Sequence, residues 1–320
     1  MALLVTWPLC AQPRLAREIF KELIEINTTD STGDNTRAAE TLAARFRAAG
    51  FPDSDIHVLA PAPRKGNLIV RFRGSGAEPP ILLLGHLDVV EAKRSDWSFD
   101  PFDFREQDGY FYGRATQDMK ADDAILVANF LRLKHEGFTP SRDLILALTA
   151  DEEGGAFNGV EWLVKNHPSL IDAAYCINTD AGGGVPQSAT AVVNCRILPN
   201  DTPAEVERTL KDILADPQIK ISPMGAASIS PVSTLDPKVV AERTAVAASI
   251  WPGTPIIPGM GTGATDGKYL RIAGIPTYGV SGIFTEENDV RAHGRDERII
   301  VKSFYDALDF MYKLIHALGK

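Results

Sequence analysis

The chain has 320 residues, a formal net charge of -9, 44% hydrophobic residues and 23% charged residues. These values are those of an ordinary globular protein, and the acidic balance argues against nucleic acid as a partner. No apolar run is long enough to cross a membrane, and three scattered cysteines argue against a disulfide framework or a cysteine-based zinc site.

The amino-terminal segment MALLVTWPLC contains an apolar stretch but has no basic region before it and no small-residue cleavage site after it. It therefore does not match a signal peptide. We expect a soluble cytoplasmic protein from the sequence as written, and a periplasmic or secreted protein if a signal peptide has been removed.

Helical and strand patterns alternate through the first half of the chain. Apolar spacing predicts helices at residues 14–26, 36–49, 122–135 and 158–166, and apolar or β-branched runs predict strands at 67–72, 81–84, 144–149 and 174–178. The run at 81–84 is apolar at every position, which suits a strand that is buried on both faces. This alternation predicts an α/β sheet covered by helices on both sides, with the chemistry at the carboxyl ends of the strands.

The pattern changes after the glycines at 182–184. A strand is predicted at residues 190–198, and a capping box at 202–205 predicts the start of a helix that runs to residue 214. A short strand at 219–221 follows, and this piece is small to fold alone. From about residue 231 the α/β pattern resumes with a helix at 237–250, a strand at 276–280 and a final helix at 301–318.

Short motifs with histidines and carboxylates follow one another along the chain: GHLDVV with His86 and Asp88, GRATQDMK with Asp118, ADEEGG with Glu152 and Glu153, NTDAGGG with Asp180, and RAHGRDE with His293. Nitrogen and oxygen donors suit Zn²⁺, a carboxylate can bridge two ions, and a spare carboxylate can act as a base. The set therefore predicts a two-metal hydrolytic site.

Each motif alone also has an ordinary structural explanation. Asp118 could be an acidic residue at the start of a helix, Glu152 and Glu153 could be exposed on a turn, and His293 could be an incidental loop histidine. The aromatic segment 97–102 could line a substrate wall, although we expect it to pack on the core. The glycine-rich segment 259–267 lacks phosphate-loop spacing, and a backbone nest for a substrate carboxylate is the alternative.

With these motifs the chain resembles the M20 family of metallopeptidases, which includes carboxypeptidases, dipeptidases, aminoacylases and deacylases with two zinc ions. The resemblance implies that His86 and Asp180 bind one zinc ion and that Glu153 and His293 bind the other. Asp118 would bridge the two ions.

The same resemblance implies that Asp88 orients the zinc-binding histidine at position 86 and that Glu152 is the general base. It makes Arg196 the candidate for gripping the substrate carboxylate. It also makes the loop with Gly261, Thr262 and Thr265 a substrate-binding wall.

For the fold, the resemblance implies an α/β protein with a zinc-peptidase-like mixed sheet, helices on both faces and a small truncated α+β lid. Residues 1–184 and 231–320 would form a discontinuous catalytic domain. Residues 185–230 would be the remnant of the lid and dimerisation domain.

The chain departs from the family pattern in two places. The usual Gly-Arg-Gly before the bridging aspartate is Gly113-Arg114-Ala115 here. In addition, Gly184 runs almost directly into the segment 185–188, where family members insert a strand, a helix and a Gly-His-Ser motif whose histidine polarises the scissile carbonyl across a dimer. We therefore expect the metal site to survive, oxyanion stabilisation to be weakened, and the chain to be a monomer if the dimerisation half of the lid is absent.

These observations together predict a dinuclear zinc hydrolase of peptide or N-acyl amino acid amide bonds in substrates with a free carboxylate. Two Zn²⁺ ions would be the cofactors, with Co²⁺ or Mn²⁺ as substitutes, and small peptides or N-acyl amino acids would be the substrates. One alternative is a metal-binding scaffold whose catalysis is impaired because the lid histidine is missing. Another is a related zinc aminopeptidase, which accounts less well for the lid-like segment.

Overall fold

A computed structural model describes residues 11–180, 197, 201–214, 229–259 and 265–320. The helices of these residues are α1 (Ala11–Ile24), α2 (Asn35–Ala48), α3 (Lys120–His135), α4 (Gly159–Asn166), α5 (Pro168–Ile171), α6 (Pro203–Leu214), α7 (Pro237–Ile250), α8 (Gly267–Ile272) and α9 (Val301–Leu318). The strands are β1 (Ile56–Leu59), β2 (Asn67–Phe72), β3 (Ile81–His86), β4 (Arg105–Gln107), β5 (Tyr110–Tyr112), β6 (Leu144–Thr149), β7 (Cys176–Asn178), β8 (Thr277–Gly279) and β9 (Arg298–Ile300).

The central element is a six-stranded mixed sheet with the order β1-β2-β6-β3-β7-β8. β3 lies parallel to both β6 and β7, and β7 lies parallel to β8. β1 and β2 run antiparallel at one edge. The predicted α/β class with a mixed sheet is thereby confirmed. A second, antiparallel sheet has the order β4-β5-β9.

The strand β3 is buried at all of its positions, as its continuous apolar sequence predicts. Leu83 packs into the apolar cluster formed with α1, α2, α3 and α9, whereas Leu82 and Leu84 pack into a second cluster on the other face with α4 and α8. Alternate side chains of a strand point to opposite faces, so one strand serves both cores. Full burial of such a leucine contributes roughly 1.5–3 kcal/mol of transfer free energy.

Capping side chains and glycine fix the ends of several helices. The Asp34 carboxylate accepts the N–H of Arg37 at 3.0 Å at the start of α2, and Gly50 follows the end of α2 with φ +82°. The predicted capping box of α6 is confirmed, because the Thr202 N–H donates to the Glu205 carboxylate at 2.8 Å and the Glu205 N–H donates to the Thr202 hydroxyl at 3.2 Å.

The predicted and observed elements differ mainly at short segments. β1, β4, β5 and β9 were not predicted. The predicted strand at 219–221 lies outside the described residues, as does the one at 190–198 except for residue 197. The aromatic segment 97–102 packs on the core as expected, since Trp97 and Phe99 are buried with ring centroids 5.6 Å apart. Among the described residues, no helix combines the length and the apolar character that a membrane span needs.

Candidate metal centre

Asp118 lies at the centre of the candidate site, between two histidines. Its Oδ1 is 3.1 Å from Nε2 of His86, and its Oδ2 is 3.0 Å from Nε2 of His293. One carboxylate therefore presents each of its oxygens to a different imidazole. A bridging carboxylate in a two-metal site needs this arrangement of one oxygen for each half of the site.

The predicted ligands form two groups that share Asp118. The first group is His86, Asp118 and Asp180, and the second is Asp118, Glu153 and His293; within each group the ligand atoms lie within 4.8 Å of one another. Glu153 also contacts His293, with 2.5 Å between Oε1 and Nε2. Each group offers one imidazole nitrogen and carboxylate oxygens, which is a donor set that fits Zn²⁺. The structure thus brings together every residue that was predicted to bind metal.

The central sheet brings three of these ligands to one edge. His86 is the last residue of β3, Glu153 follows β6 closely, and Asp180 follows β7 closely. Since β3 lies between β6 and β7 and is parallel to both, their carboxyl ends meet at the same edge. Asp118 and His293 come instead from loops, one before α3 and one before β9.

Asp88 contacts both the histidine of β3 and the turn with the two glutamates. Its carboxylate accepts the backbone N–H of Glu152 at 3.0 Å and that of Glu153 at 2.9 Å. Nδ1 of His86 is 3.0 Å from the Asp88 carbonyl oxygen and 3.7 Å from its Oδ1. Burial raises the pKa of Asp88 to about 6. The predicted contact with His86 is therefore present, and Asp88 has a further contact with the glutamate turn that the sequence did not indicate.

Glu152 belongs to neither ligand group and is partly buried beside them. Burial raises its pKa to about 9; His86 opposes this shift, while Asp266 and Asp180 add to it. The metal-free protein therefore keeps this carboxyl protonated at neutral pH. Nearby cations favour the ionised form of a carboxyl group, so a divalent ion beside Glu152 would lower this pKa.

The neighbouring carboxylates raise the pKa of both histidines. Burial lowers the pKa of each imidazole, but the hydrogen bond with Asp118 and the nearby carboxylates outweigh burial, so that the pKa of His293 rises to about 10 and that of His86 lies well above its ordinary value. The clustered carboxylates thus favour the protonated form of both imidazoles. The negative charge of these carboxylates is the charge that divalent ions would neutralise.

Asp266 is a further acidic residue of the site that the motif analysis did not single out. It is buried, and Nδ2 of Asn158 donates to its Oδ1 at 2.5 Å. Burial raises its pKa to about 7; the hydrogen bond from Asn158 and the charge of His86 oppose this shift, while Asp88 and Asp180 add to it. The only sequence feature that could have indicated Asp266 as a site residue was its position as an acidic residue inside the glycine-rich segment 259–267.

Helix α3, which begins just after Asp118, carries buried charged residues in its first turn. Lys120, Asp122 and Asp123 are all buried, and Nζ of Lys120 donates to the carbonyl oxygen of Ile26 at 2.8 Å. Burial lowers the pKa of Lys120 to about 7 and raises that of Asp123 well above its ordinary value. These charges in the first turn of α3 are visible in the sequence but were not used to predict the site.

Most of the predicted substrate-binding residues cannot be located. Arg196, Gly261 and Thr262 lie outside the described residues. Thr265 is described, and its hydroxyl accepts the N–H of Gly267 at 3.2 Å, next to the buried Asp266. The substrate-binding wall therefore stays a prediction.

A sequence model of peptidase family M20/M25/M40 matches residues 82–317, which is more than half of the chain. Aminoacylase-1 of Sus scrofa is 29% identical over 215 residues, which are 63% of this chain and 51% of the aminoacylase. Succinyl-diaminopimelate desuccinylase of Xanthomonas euvesicatoria pv. vesicatoria is 40% identical over 148 residues, which are 41% of this chain and 37% of that protein. The chain thus spans about half or less of the length of these relatives.

Among solved structures, the M20 family metallo-carboxypeptidase Sso-CP2 of Sulfolobus solfataricus superposes with a TM-score of 0.70 at 13% identity, covering 95% of this chain and 99% of that one. At this identity the similarity is one of fold. It agrees with the mixed sheet and the flanking helices described above.

Proposed function

Because the chain belongs to peptidase family M20/M25/M40, we propose that it is a dinuclear zinc-dependent hydrolase of amide bonds in small peptides or N-acyl amino acids. The observation that carries the proposal is the position of Asp118, whose two oxygens each face one of two histidines in two ligand groups. Such a pair of groups with one shared carboxylate suits two ions better than one.

The residues divide into holders of metal and a proton carrier. His86 and Asp180 would hold one zinc ion, Glu153 and His293 the other, and Asp118 both. Bound zinc would supply Lewis-acid activation of the water and of the scissile carbonyl. Co²⁺ or Mn²⁺ would substitute, since the same nitrogen and oxygen donors accept them.

Glu152 would act as the general base and then as the general acid. It lies beside the ligand groups without belonging to either, and its carboxyl is able to change its protonation state. It would take a proton from the attacking water and give it to the nitrogen of the departing amine, so that the proton is conserved through the reaction. Asp88 would hold this glutamate in position through the backbone N–H of the same residue.

The substrate class is inferred from the names of the relatives and from the candidate substrate-binding residues. One relative is an aminoacylase and the other a desuccinylase, which supports N-acyl amino acids as the first compounds to test. A free substrate carboxylate would be held by Arg196 and by the wall with Gly261, Thr262 and Thr265.

A second candidate function is metal binding with impaired catalysis. The sequence contains no histidine between His167 and His293, so the lid histidine of the family is missing from this stretch. Loss of one donor to the oxyanion lowers the rate by about 10²–10³ in well-studied hydrolases. This candidate predicts full metal binding with little or no turnover.

The test combines metal content with turnover. The chain would be loaded with zinc and desalted, its metal measured by elemental analysis, and N-acetyl amino acids and dipeptides with free or blocked carboxylates offered as substrates. We expect about two zinc ions per chain and preference for a free carboxylate. Preference for a free amino terminus instead would favour an aminopeptidase.

The variant Glu152→Gln, with Glu161→Gln as its control, tests the general base. Glu161 is a glutamate of α4 that pairs with Lys165 on the surface, 2.7 Å away. We expect Glu152→Gln to lose about 10²–10⁴ of the rate and to keep its metal, whereas the control keeps both. Full turnover by Glu152→Gln would disprove the assignment, and a wild-type chain without metal would disprove the hydrolase. Two bound zinc ions without any turnover would favour the second candidate.

A further inference from the structure

Glu297 is a buried carboxylate that belongs to neither ligand group. It has no exposed surface and follows His293 closely in the chain, directly before β9. A charged group is rarely buried so completely unless its hydrogen bonds are satisfied. The partners of Glu297 therefore indicate what it does.

Among the described residues, the hydrogen-bond partners of the Glu297 carboxylate all belong to the segment that ends in Asp118. Its Oε2 accepts Nη1 of Arg114 at 2.6 Å and the N–H of Ala115 at 3.2 Å. Its Oε1 accepts the N–H of Gln117 at 2.7 Å and the N–H of Asp118 itself at 3.2 Å. An ionised carboxylate accepts about four hydrogen bonds, so the capacity of Glu297 is used up by this one segment.

Further hydrogen bonds join the same two segments, 113–118 and 291–298. They run from Nη2 of Arg114 to the carbonyl oxygen of Gly294 (3.1 Å), from Nε2 of Gln117 to the carbonyl oxygen of Arg298 (2.7 Å), from the N–H of Arg291 to Oε1 of Gln117 (3.0 Å), and from the N–H of Gly113 to the carbonyl oxygen of Glu297 (3.2 Å). The first segment carries the shared ligand Asp118, and the second carries the ligand His293. The two loops are therefore held together on both sides of His293 and on the amino-terminal side of Asp118.

Backbone conformation independently supports the conclusion that contacts between these two segments fix their geometry. Ala115, His293 and Asp296 adopt positive φ angles of 69°, 62° and 47°, although none of them is glycine. Such conformations cost free energy and persist where surrounding contacts hold them. The strained residues belong to the two segments that Glu297 joins.

We propose that Glu297 is a positioning residue that fixes Asp118 relative to His293 and thereby sets the affinity of the site for its two metal ions. This inference rests on the proposed function, because it requires Asp118 and His293 to bind metal. Glu297 would not touch metal or substrate itself. It would act through the backbone N–H groups of the loop that ends in Asp118.

The test measures the affinity of the metal-free 320-residue chain for zinc by competition with a chromophoric chelator. In Glu297→Gln the side chain keeps its shape, but an NH₂ group faces two of the four donors. Loss of a group that orients a metal ligand typically costs about 10–100-fold in metal affinity, and we expect a rise in Kd of that size. The thermal unfolding of the metal-free proteins is measured alongside.

Glu136→Gln is the matched control. Glu136 also accepts a hydrogen bond from an arginine, at 2.7 Å from Arg132, and one from the hydroxyl of Tyr312 at 2.6 Å, but it lies at the far end of α3. Its zinc Kd should stay within about twofold of the wild type, since none of its contacts reaches a metal ligand.

The outcomes separate the two proposals. A wild-type chain that binds no zinc would disprove the proposed function. Suppose instead that the wild type binds zinc and that Glu297→Gln has the same Kd and only a lower unfolding temperature. Glu297 would then be a merely structural residue, and this inference alone would be overturned.

If Glu297→Gln does not fold, Arg114→Lys decides the question. Lysine keeps the charge beside Glu297 but cannot contact both Glu297 and Gly294, as Arg114 does. A rise in the zinc Kd of about tenfold would support the inference. An unchanged Kd would overturn it.

Discussion

Replacing Lys65 by methionine would remove the positive charge that pairs with Asp151, the residue before Glu152 and Glu153. Nζ of Lys65 lies 2.6 Å from Oδ1 of Asp151 and 2.5 Å from Oδ1 of Asp30. Asp151 directly precedes Glu152, its side chain is 1% exposed, and its φ of 61° is unusual for a residue that is not glycine. Burial lowers the pKa of Lys65, but the hydrogen bonds with Asp151 and Asp30 outweigh burial and raise it above its ordinary value. Lys65 is therefore charged at neutral pH, and its charge is lost only when the pH rises above the ordinary lysine pKa.

The size of the effect follows from the burial of each partner. Removal of one member of a buried ion pair costs about 3–5 kcal/mol, because the other charge is left buried without compensation. Asp151 would keep the hydrogen bond from the N–H of Phe157 at 3.1 Å, which favours the lower end of that range. Asp30 is 56% exposed and would be solvated after the change. We therefore expect Lys65→Met to lower the free energy of unfolding by about 3 kcal/mol.

Urea unfolding of the metal-free chain at neutral pH measures this loss, with Lys165→Met as the control. Lys165 pairs with Glu161 at 2.7 Å on the surface, where its side chain is 66% exposed, so its replacement should cost less than about 1 kcal/mol. The double variant Lys65→Met/Asp151→Asn should be more stable than the sum of the single changes predicts, since no charge is stranded. A loss below about 1 kcal/mol for Lys65→Met, or strict additivity, would refute the reasoning.

Three further predictions concern other parts of the molecule. Gly159→Ala would bring a Cβ into collision with Oδ1 of Asn67, and we expect a loss of about 1–3 kcal/mol in urea unfolding; an unchanged midpoint would contradict this. Zinc affinity should fall as the pH is lowered, because His86 and His293 must lose a proton before they bind metal. Burial lowers the pKa of both imidazoles, but the neighbouring carboxylates outweigh burial and raise it. Chelator competition at two pH values measures that effect, and equal Kd values would argue against it. Cys176 of β7 is fully buried, and burial raises the pKa of its thiol. Peptide mapping should therefore find Cys176 unlabelled by maleimide in the native protein and labelled in urea. Rapid labelling of the native protein would contradict this prediction and show that β7 opens.

Sequence patterns predicted the long elements best. The strands β2 and β6 and the helices α7 and α9 have the predicted bounds. β6 is an almost continuous apolar run, and α9 buries an apolar stripe along its length. Asp236 caps α7 by accepting the N–H of Lys238 at 2.7 Å. Local sequence is sufficient in such segments because burial and periodicity agree.

The short strands could not be predicted in this way. β4 is exposed at all three positions and pairs with β5, which in turn pairs with β9 far along the chain. Segments of this length show no recognisable period, and their pairing is a tertiary property. The same holds for β1, whose partly buried residues give no clear alternation.

The candidate site divides along similar lines. The ligands were predicted from side chains that are visible in the sequence, and the structure brings all of them together. The contacts that hold them were not predicted, because half of each contact is a backbone N–H: Asp88 binds the N–H groups of Glu152 and Glu153, and Glu297 binds that of Asp118. A backbone donor is present at nearly every residue and therefore gives no signal in a sequence.

Two different constraints therefore position the ligands. His86, Glu153 and Asp180 depend on the register of three adjacent parallel strands, which is fixed by the burial of both faces of the sheet. Asp118 and His293 lie on loops outside this sheet, and their separation depends on hydrogen bonds between the loops. A change in the strands should lower folding stability and metal affinity together, because the same packing supports both. A change in the loop contacts should lower metal affinity more than stability, since the core on either face of the sheet stays intact.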